Sequence, residues 1–339
     1  MEKSGSHLNE EAENNWKSKL IGIFLAYLSA FVLLAQNTVL QKMNLHFNDA
    51  LLLRAFLQTL LGLILVLVRG QSVWIKDVDA DKNIHTMRML LFAYGVFGAL
   101  FNATDLIAVY FMPLGDAMTI IMSSVLPTTV LAAIFLKERL RLYKSFCVIW
   151  VIIGLVLVIR PPFLFVEENI PRSKLYYIGA LSGLICMISS ASFRIVMKIL
   201  VNNKSTSSFG IPLLYTSVCI LIIALILPAF GGDQKILFSS VKTENYDTWQ
   251  WIGLFATAIL GITQHSTRFM AIKLISPVLV SFIRTSEIIV AYIIQITITG
   301  TRPYVTSLIG SGFVIIACIG VILESWLLKI LNPNIPWLF

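Results

Sequence analysis

Charged side chains are scarce in this sequence. Asp, Glu, Lys and Arg make up only 13% of its 339 residues, whereas 57% are hydrophobic and the mean hydropathy is +0.83. A soluble domain carries roughly 25% charged residues, so most of this surface cannot face water. The composition excludes an ordinary soluble globular domain and predicts an integral membrane protein.

Cysteine and catalytic signatures are also scarce. The four cysteines, Cys147, Cys186, Cys219 and Cys318, lie inside apolar runs, and their spacing matches neither a disulfide framework nor a metal site. We therefore expect no metal and no cofactor. No Walker motif for ATP hydrolysis is present. The one histidine in a predicted span, His265, has no nucleophile partner in the sequence, so we expect no enzyme.

The net charge of +8 does not indicate a nucleic-acid partner, because no basic arm or aromatic-basic motif accompanies it. Lys and Arg are concentrated in the loops that share a side with both termini. By the positive-inside rule, this predicts cytoplasmic termini. The first apolar segment is too long for a cleaved signal and should stay as an anchor. We expect a multi-pass protein of the plasma membrane or of the endoplasmic reticulum and Golgi.

Ten segments have the length of a spanning helix, which needs roughly 20 mostly apolar residues. No alternation of period two appears, and an open sheet edge cannot be satisfied in hydrocarbon, so we predict an all-α fold. The ten segments are Leu20–Gln41, Asp49–Val68, Arg88–Met112, Gly115–Leu136, Tyr143–Ile159, Leu175–Lys198, Phe209–Ala229, Trp249–Ile272, Pro277–Thr297 and Pro303–Glu324.

The chain also contains a weak internal repeat. GDAMTIIMSSVLPTTVLAAIFL around the fourth span is similar in arrangement to SPVLVSFIRTSEIIVAYIIQIT around the ninth. Halves of five helices each must enter the membrane from opposite sides, which predicts an inverted repeat. We expect a cytoplasmic tail over 1–19, a first five-helix repeat over 20–160, a linker over 161–174, a second repeat over 175–328 and a cytoplasmic tail over 329–339.

Short motifs lie at the span ends and within the spans. They are LKER at 136–139, VIRPPFLF at 158–165, Asp49 with Arg54 and Gln58, Asp116–Ala117, Ser123–Ser124, Pro277–Val278, Glu287 and Gln295. In these motifs the chain resembles the drug/metabolite transporter superfamily with its EamA-type repeats, and more narrowly the G-type members of solute carrier family 35. Two features depart from the pattern. Pro127 stands two residues later than usual after the serine pair, and Arg268 and Arg284 replace residues that are more often lysine.

This resemblance implies ten helices in two inverted halves, alternating access to a central cavity, and an organic metabolite, often anionic, as the solute. For the G-type members it implies two functions, namely export of carboxylates such as citrate and association with the endoplasmic reticulum calcium sensor and plasma membrane calcium pumps. A non-transporting membrane regulator and a nucleotide-sugar transporter remain alternatives. The expected partners are a small organic anion and the lipid bilayer, with calcium-handling membrane proteins and a homodimer as further candidates.

Charged residues inside a span are costly in lipid and mark functional sites by default. The interior is net basic, and a guanidinium group can grip a carboxylate with two hydrogen bonds, so the charges favour an anionic solute. We assign substrate binding to Arg284, Arg268, Gln264, Ser123, Ser124 and Asn102, and coupling or gating to Glu287, Arg54 and Asp105.

The sequence leaves alternatives for several of these charges. Arg284 and Glu287 share a helix face and could form a purely internal ion pair. Arg54 and Asp105 lie at similar depth and could pair across helices, either as a gate or as a structural contact. Arg268 could reach the cytoplasmic interface instead of the interior, and for Arg194 we expect such snorkelling, toward Lys198.

Overall fold

The computed structural model describes residues 2–70, 84–135, 142–159, 174–202, 209–227 and 246–331. Every regular element in these ranges is helical, which confirms the all-α prediction for this part of the chain. The motif at 136–139, most of the 161–174 linker and residues 332–339 lie outside it. The helices are α1 Glu2–Lys42, α2 Phe47–Val68, α3 Ile84–Phe111, α4 Leu114–Met122, α5 Val125–Phe135, α6 Leu142–Ile159, α7 Lys174–Asn202, α8 Gly210–Ile226, α9 Thr248–Leu274, α10 Pro277–Thr285, α11 Glu287–Ile294 and α12 Val305–Leu331.

The helices have the lengths and surfaces of membrane spans. Six stretches of the described chain are long and apolar enough to cross a membrane, and three shorter apolar helices accompany them. Large apolar side chains such as Phe24, Leu67 and Ile188 are exposed, whereas many polar side chains are buried. An apolar exterior around a polar interior is what a bilayer selects, because lipid cannot satisfy polar groups.

Helices from the first half of the chain pack against helices from the second half. The most extensive packing joins α1 with α9, α3 with α7, α6 with α12, and α2 with α8. In each pair, one helix ends before residue 160 and the other begins after residue 173. The two halves of the chain therefore form one bundle with a shared core, and neither half packs as a separate unit.

The fourth and ninth predicted spans are each broken in the middle, whereas the hydropathy pattern predicted continuous helices. The first break separates α4 from α5 at Ser123 and Ser124, and the second separates α10 from α11 at Ser286. At both breaks a serine hydroxyl donates back to its own helix, from Ser123 to the Thr119 carbonyl at 2.8 Å and from Ser286 to the Ile283 carbonyl at 2.7 Å. Such back-bonding favours a bend at each break.

The ends of α3 and α9 are held in the same manner by side chains of a neighbouring helix. The amide of Gln41 on α1 donates to the carbonyls of Val109 and Met112, at 2.7 and 2.8 Å. The ammonium of Lys198 on α7 donates to the carbonyls of Ile272 and Ile275, at 2.9 and 3.3 Å. In both places a long side chain satisfies carbonyls that the last helical turn leaves unpaired.

Candidate functional site

Four arginines lie fully inside the bundle. Arg54 on α2, Arg194 on α7, Arg268 on α9 and Arg284 on α10 are each 1% exposed. The acids Asp105 on α3 and Glu287 on α11 are also buried. The structure thus brings charges from six helices into the interior, and none of these four guanidinium groups reaches the lipid-facing surface.

Arg284 and Glu287 form an ion pair across the break in the ninth span. Arg284 Nε lies 2.6 Å from Glu287 Oε1, and Arg284 Nη2 lies 3.4 Å from Oε2. Arg284 lies in the last turn of α10, and Glu287 is the first residue of α11. The internal pair suggested by the sequence is therefore present, and any substrate that takes Arg284 must displace this carboxylate.

Arg268 points inward and retains unused donors. Its guanidinium carbon lies 4.6 Å from the centroid of the Phe101 ring, a cation–π distance. Its Nε and Nη2 have no hydrogen-bond partner among the described residues, and the same holds for both amide atoms of Gln264, one turn earlier on α9. The alternative in which Arg268 reaches the cytoplasmic interface does not match this burial.

The snorkelling prediction for Arg194 was wrong. Its Nη2 donates to Ser124 Oγ at 2.7 Å and to Thr128 Oγ1 at 3.0 Å, at the break of the fourth span. The side chain points into the bundle because these hydroxyls offer acceptors there. Ser190, four residues earlier and buried, gave a sequence signal for a polar inner face on α7.

Arg54 and Asp105 do not pair directly. Arg54 Nη2 donates to the Gly261 carbonyl at 3.0 Å, and Asp105 Oδ2 accepts from Asn37 Nδ2 at 3.4 Å; among the described residues no ion pair joins the two charges. A Cβ at Gly261 would lie 2.7 Å from Arg54 Nε. The glycine is what lets the guanidinium lie against the α9 backbone. Asn37 was not singled out in the sequence.

The remaining predicted site residues use their hydroxyl or amide groups within the protein. Ser123 donates to its own helix, as described above, and Asn102 Nδ2 donates to the Gly98 carbonyl at 2.6 Å. Ser124 is already the acceptor for Arg194. Of these three residues only Ser124 contacts an arginine, while Arg268 and Gln264 carry the unused hydrogen-bonding groups.

A cavity of about 750 Å³ opens near the ends of α1, α3, α4 and α7. Its lining includes Tyr110, Tyr176, Tyr304 and the buried carboxylate of Asp116. Asp116 accepts from the hydroxyls of Tyr176 at 3.1 Å and Tyr292 at 3.0 Å. The four arginines are not part of this lining, so the cavity is separate from the charged core.

A tyrosine outside the spans braces the same end of the molecule. Tyr246, just before α9, donates to Asp49 Oδ2 at 2.8 Å and accepts from the backbone N–H of His46 at 3.1 Å. Burial raises the pKa of Tyr246 to about 12. The phenol is therefore a stable donor at physiological pH and joins the start of α2 to the start of α9.

Comparisons with known proteins place the chain in a transporter family. The model of the EamA-like transporter family matches residues 20–160 and 177–323. Solute carrier family 35 member G1 of Mus musculus is 24% identical over 325 residues, covering 95% of this chain and 84% of that protein. Its Homo sapiens counterpart is 24% identical over 327 residues, with the same shares covered.

A solved crystal structure also superposes on this one. It aligns with a TM-score of 0.56 at 15% identity, covering 92% of this chain and 99% of the other, which supports the fold alone. The family match, by contrast, extends over most of the sequence in two stretches. On that match, this chain belongs to the EamA-like transporter family of the drug/metabolite transporter superfamily.

Proposed function

We propose that this protein is a secondary-active transporter or exchanger of a small organic anion, a carboxylate metabolite such as citrate. The observation that carries the proposal is the centre of the bundle, where four buried arginines accompany the buried acids Asp105 and Glu287. The other two buried acids, Asp49 and Asp116, lie in the first turns of their helices. In a medium of low polarity each fixed charge is weakly screened, so a core with more arginines than acids attracts an anion.

Arg268 is the first group to bind the anion in this proposal, because its Nε and Nη2 are buried without partners. Two parallel N–H donors match the two oxygens of a carboxylate. A second carboxylate then competes with Glu287 for Arg284. Glu287, once displaced from Arg284, takes up a proton or balances the positive charge of the core, so binding and coupling use the same pair.

The proposed architecture has ten spans in two inverted halves of five, with both termini cytoplasmic. Within it, α4 with α5 form one span and α10 with α11 another. In two such halves, α7 corresponds to α1 and α9 corresponds to α3. Because α1 packs against α9 and α7 packs against α3, the two contacts are equivalent, which supports this symmetry. So do the matched contacts of Gln41 and Lys198 at the ends of α3 and α9. Rocking of the halves would expose the core to each side in turn.

Flux into proteoliposomes tests the proposal. Arg268→Ala should lower the kcat/KM for citrate uptake by about ten-fold or more, because charge-assisted hydrogen bonds are lost. Arg268→Lys should keep part of the uptake, since the charge remains without the two-pronged geometry. Lys273→Ala removes an exposed charge from the same helix and should change little. Unchanged uptake of every transported anion by Arg268→Ala would contradict the site.

Nucleotide-sugar transport is distinguished in the same vesicles. Uptake of UDP-sugars without uptake of any carboxylate would replace the proposed substrate class. No flux of either class by correctly inserted protein would favour a non-transporting membrane regulator. Arg284 is less suitable as the first variant, because its removal leaves the buried Glu287 unpaired and destabilises the protein.

A further inference from the structure

Buried acceptors, as well as buried donors, lack partners in the charged core. Among the described residues, the unpartnered donors on α2 and α9 include Arg54 Nε, Arg268 Nε and Nη2, and the amide nitrogens of Gln58 and Gln264. The unpartnered acceptors include the amide oxygens of Gln58, Gln264 and Asn37, and Asp105 Oδ1. Buried polar groups are normally hydrogen-bonded, so this concentration points to a ligand.

Contacts between four helices bring these groups together. The bond from Arg54 to the Gly261 carbonyl joins α2 to α9. Gln58 follows Arg54 by one turn, and Gln264 follows Gly261 by one turn, so both amides lie on the faces that meet. Gln58 and Gln264 are both 0% exposed.

The α3 and α1 side chains complete the cluster. Arg268, one turn after Gln264, lies over Phe101, and Asp105 follows Phe101 by one turn on α3. Asn37 on α1 donates to Asp105. The charges of Arg284, Arg268 and Arg54 all act on Asp105. The unpartnered donors and acceptors thus surround one region between α1, α2, α3 and α9.

The acceptors restrict the chemistry of the ligand. A carboxylate has only acceptor oxygens at neutral pH. It would satisfy the arginines and the amide nitrogens but leave the amide oxygens of Gln58 and Gln264 buried without a donor. An ammonium group would supply donors, but it would lie among three guanidinium groups and one nearby acid. A hydroxyl group supplies a donor without a charge.

We propose that the transported anion carries a hydroxyl group beside its carboxylates, and that the amide oxygens of Gln58 and Gln264 accept its proton in a hydrogen bond. This inference rests on the proposed function and narrows its substrate class to hydroxycarboxylates. It also adds Gln58 to the substrate-binding residues, as a specificity determinant facing Gln264.

Pairs of substrates that differ by one hydroxyl test the inference on the unaltered protein. Malate is compared with succinate, and citrate with tricarballylate, in uptake into proteoliposomes containing the full chain. The hydroxylated member should have a kcat/KM higher by about ten-fold or more, since its analogue leaves buried acceptors unpaired. Aspartate, which has an ammonium group in place of the hydroxyl group of malate, tests the ammonium alternative. It should be transported less well than malate.

Substitution of the two amides locates the effect. Gln264→Met and Gln58→Met keep the side-chain length but remove the acceptor. Each should bring the malate-to-succinate ratio close to one, mainly by lowering malate uptake. Gln41→Met is the matched control, because Gln41 contacts the end of α3 outside this cluster. It should leave the ratio unchanged, even where total uptake falls.

The outcomes separate this inference from the proposed function. Equal kcat/KM for malate and succinate, with robust uptake of both, overturns the hydroxyl requirement and leaves an anion transporter. A preference for aspartate over malate also overturns it. A hydroxyl preference that persists in both glutamine variants assigns recognition to other residues and refutes the role of Gln58 and Gln264. Absence of any carboxylate flux refutes both proposals.

Discussion

The helix pair α1–α3 and the helix pair α7–α9 are joined at their ends in the same way but carry opposite charges. Gln41 and Lys198 hold the corresponding C-terminal carbonyls. Four residues before these two stand Asn37 and Arg194. Four residues before the contacted Val109 and Ile272 stand Asp105 and Arg268. The first pair therefore contributes an amide and an acid, and the second contributes two arginines.

This difference shows which features the scaffold constrains and which it leaves free. Side chains at the helix ends must satisfy carbonyls in either pair, so both ends have a long donor. One turn further in, packing fixes only that a polar group is buried. The sign of its charge is open, and the net-positive core results from the arginines of the second pair. Three sets of substitutions, given from the largest expected effect to the smallest, probe this comparison.

The largest effect is expected when the first pair is given the charge of the second. Asp105→Arg would add a positive charge beside Arg54, Arg268 and Arg284 and remove the acid that acts on them. An uncompensated buried charge costs about 3–5 kcal/mol. We expect a loss of folded protein after detergent extraction, measured by fluorescence-detected size-exclusion chromatography and thermal unfolding.

The reciprocal exchange provides the control for that variant. Asp105→Arg combined with Arg268→Asp restores the balance of charges while moving each to the matched position on the other pair. The double variant should recover at least half of the lost thermal stability. Equal instability of the single and double variants would mean that local packing, and not the balance of charges, decides the arrangement.

A smaller effect is expected at the helix ends. Lys198→Met removes charge-assisted hydrogen bonds and should cost about 1.5 kcal/mol, whereas Gln41→Met removes neutral ones and should cost about 1 kcal/mol. The cation also faces the negative end of the α9 dipole, which adds to its contribution. Thermal unfolding in one detergent measures both. A larger loss of stability for Gln41→Met than for Lys198→Met would contradict this order.

The smallest effect is expected outside both pairs, at Tyr246. Tyr246→Phe removes the hydrogen bond to Asp49 and should lower stability by about 1 kcal/mol at neutral pH. Because the folded-state pKa lies near 12, above the ordinary value of about 10, this contribution is complete below pH 10 and is lost as pH rises toward 12. Thermal unfolding of wild type and variant at pH 7 and at pH 11 tests this trend. A stability difference between the two proteins that is larger at pH 11 than at pH 7 would disprove it.

The sequence located the helices well because a spanning helix is a local property. The second span was predicted at Asp49–Val68 and lies at Phe47–Val68, and the sixth was predicted at Leu175–Lys198 and lies at Lys174–Asn202. The breaks within the fourth and ninth spans were not predicted. A serine hydroxyl that bonds back to its helix leaves the hydropathy pattern unchanged, so hydropathy gives no sign of the bend.

The candidate site was predicted in part. The pairing of Arg284 with Glu287 was one of the alternatives suggested by their spacing in the sequence, which is a local relation. The direction of Arg194 and the partners of Arg54 and Asp105 could not be predicted in this way, because they depend on which helix lies opposite. Gln58 was seen as a motif residue without a role, since only the tertiary structure shows that α2 packs against α9, the helix of Gln264.

The amino-acid sequence by itself determined that this is a helical membrane protein, where its spans lie and that charges are buried within them. Run length, composition and the cost of polar groups in lipid suffice for those conclusions. Only the tertiary structure decided the partners of Arg54, Arg194 and Asp105 and which hydrogen-bonding groups remain unused. Those relations join residues more than 60 positions apart, such as Asn37 with Asp105 and Arg54 with Gly261, and no local pattern encodes the contacts between them.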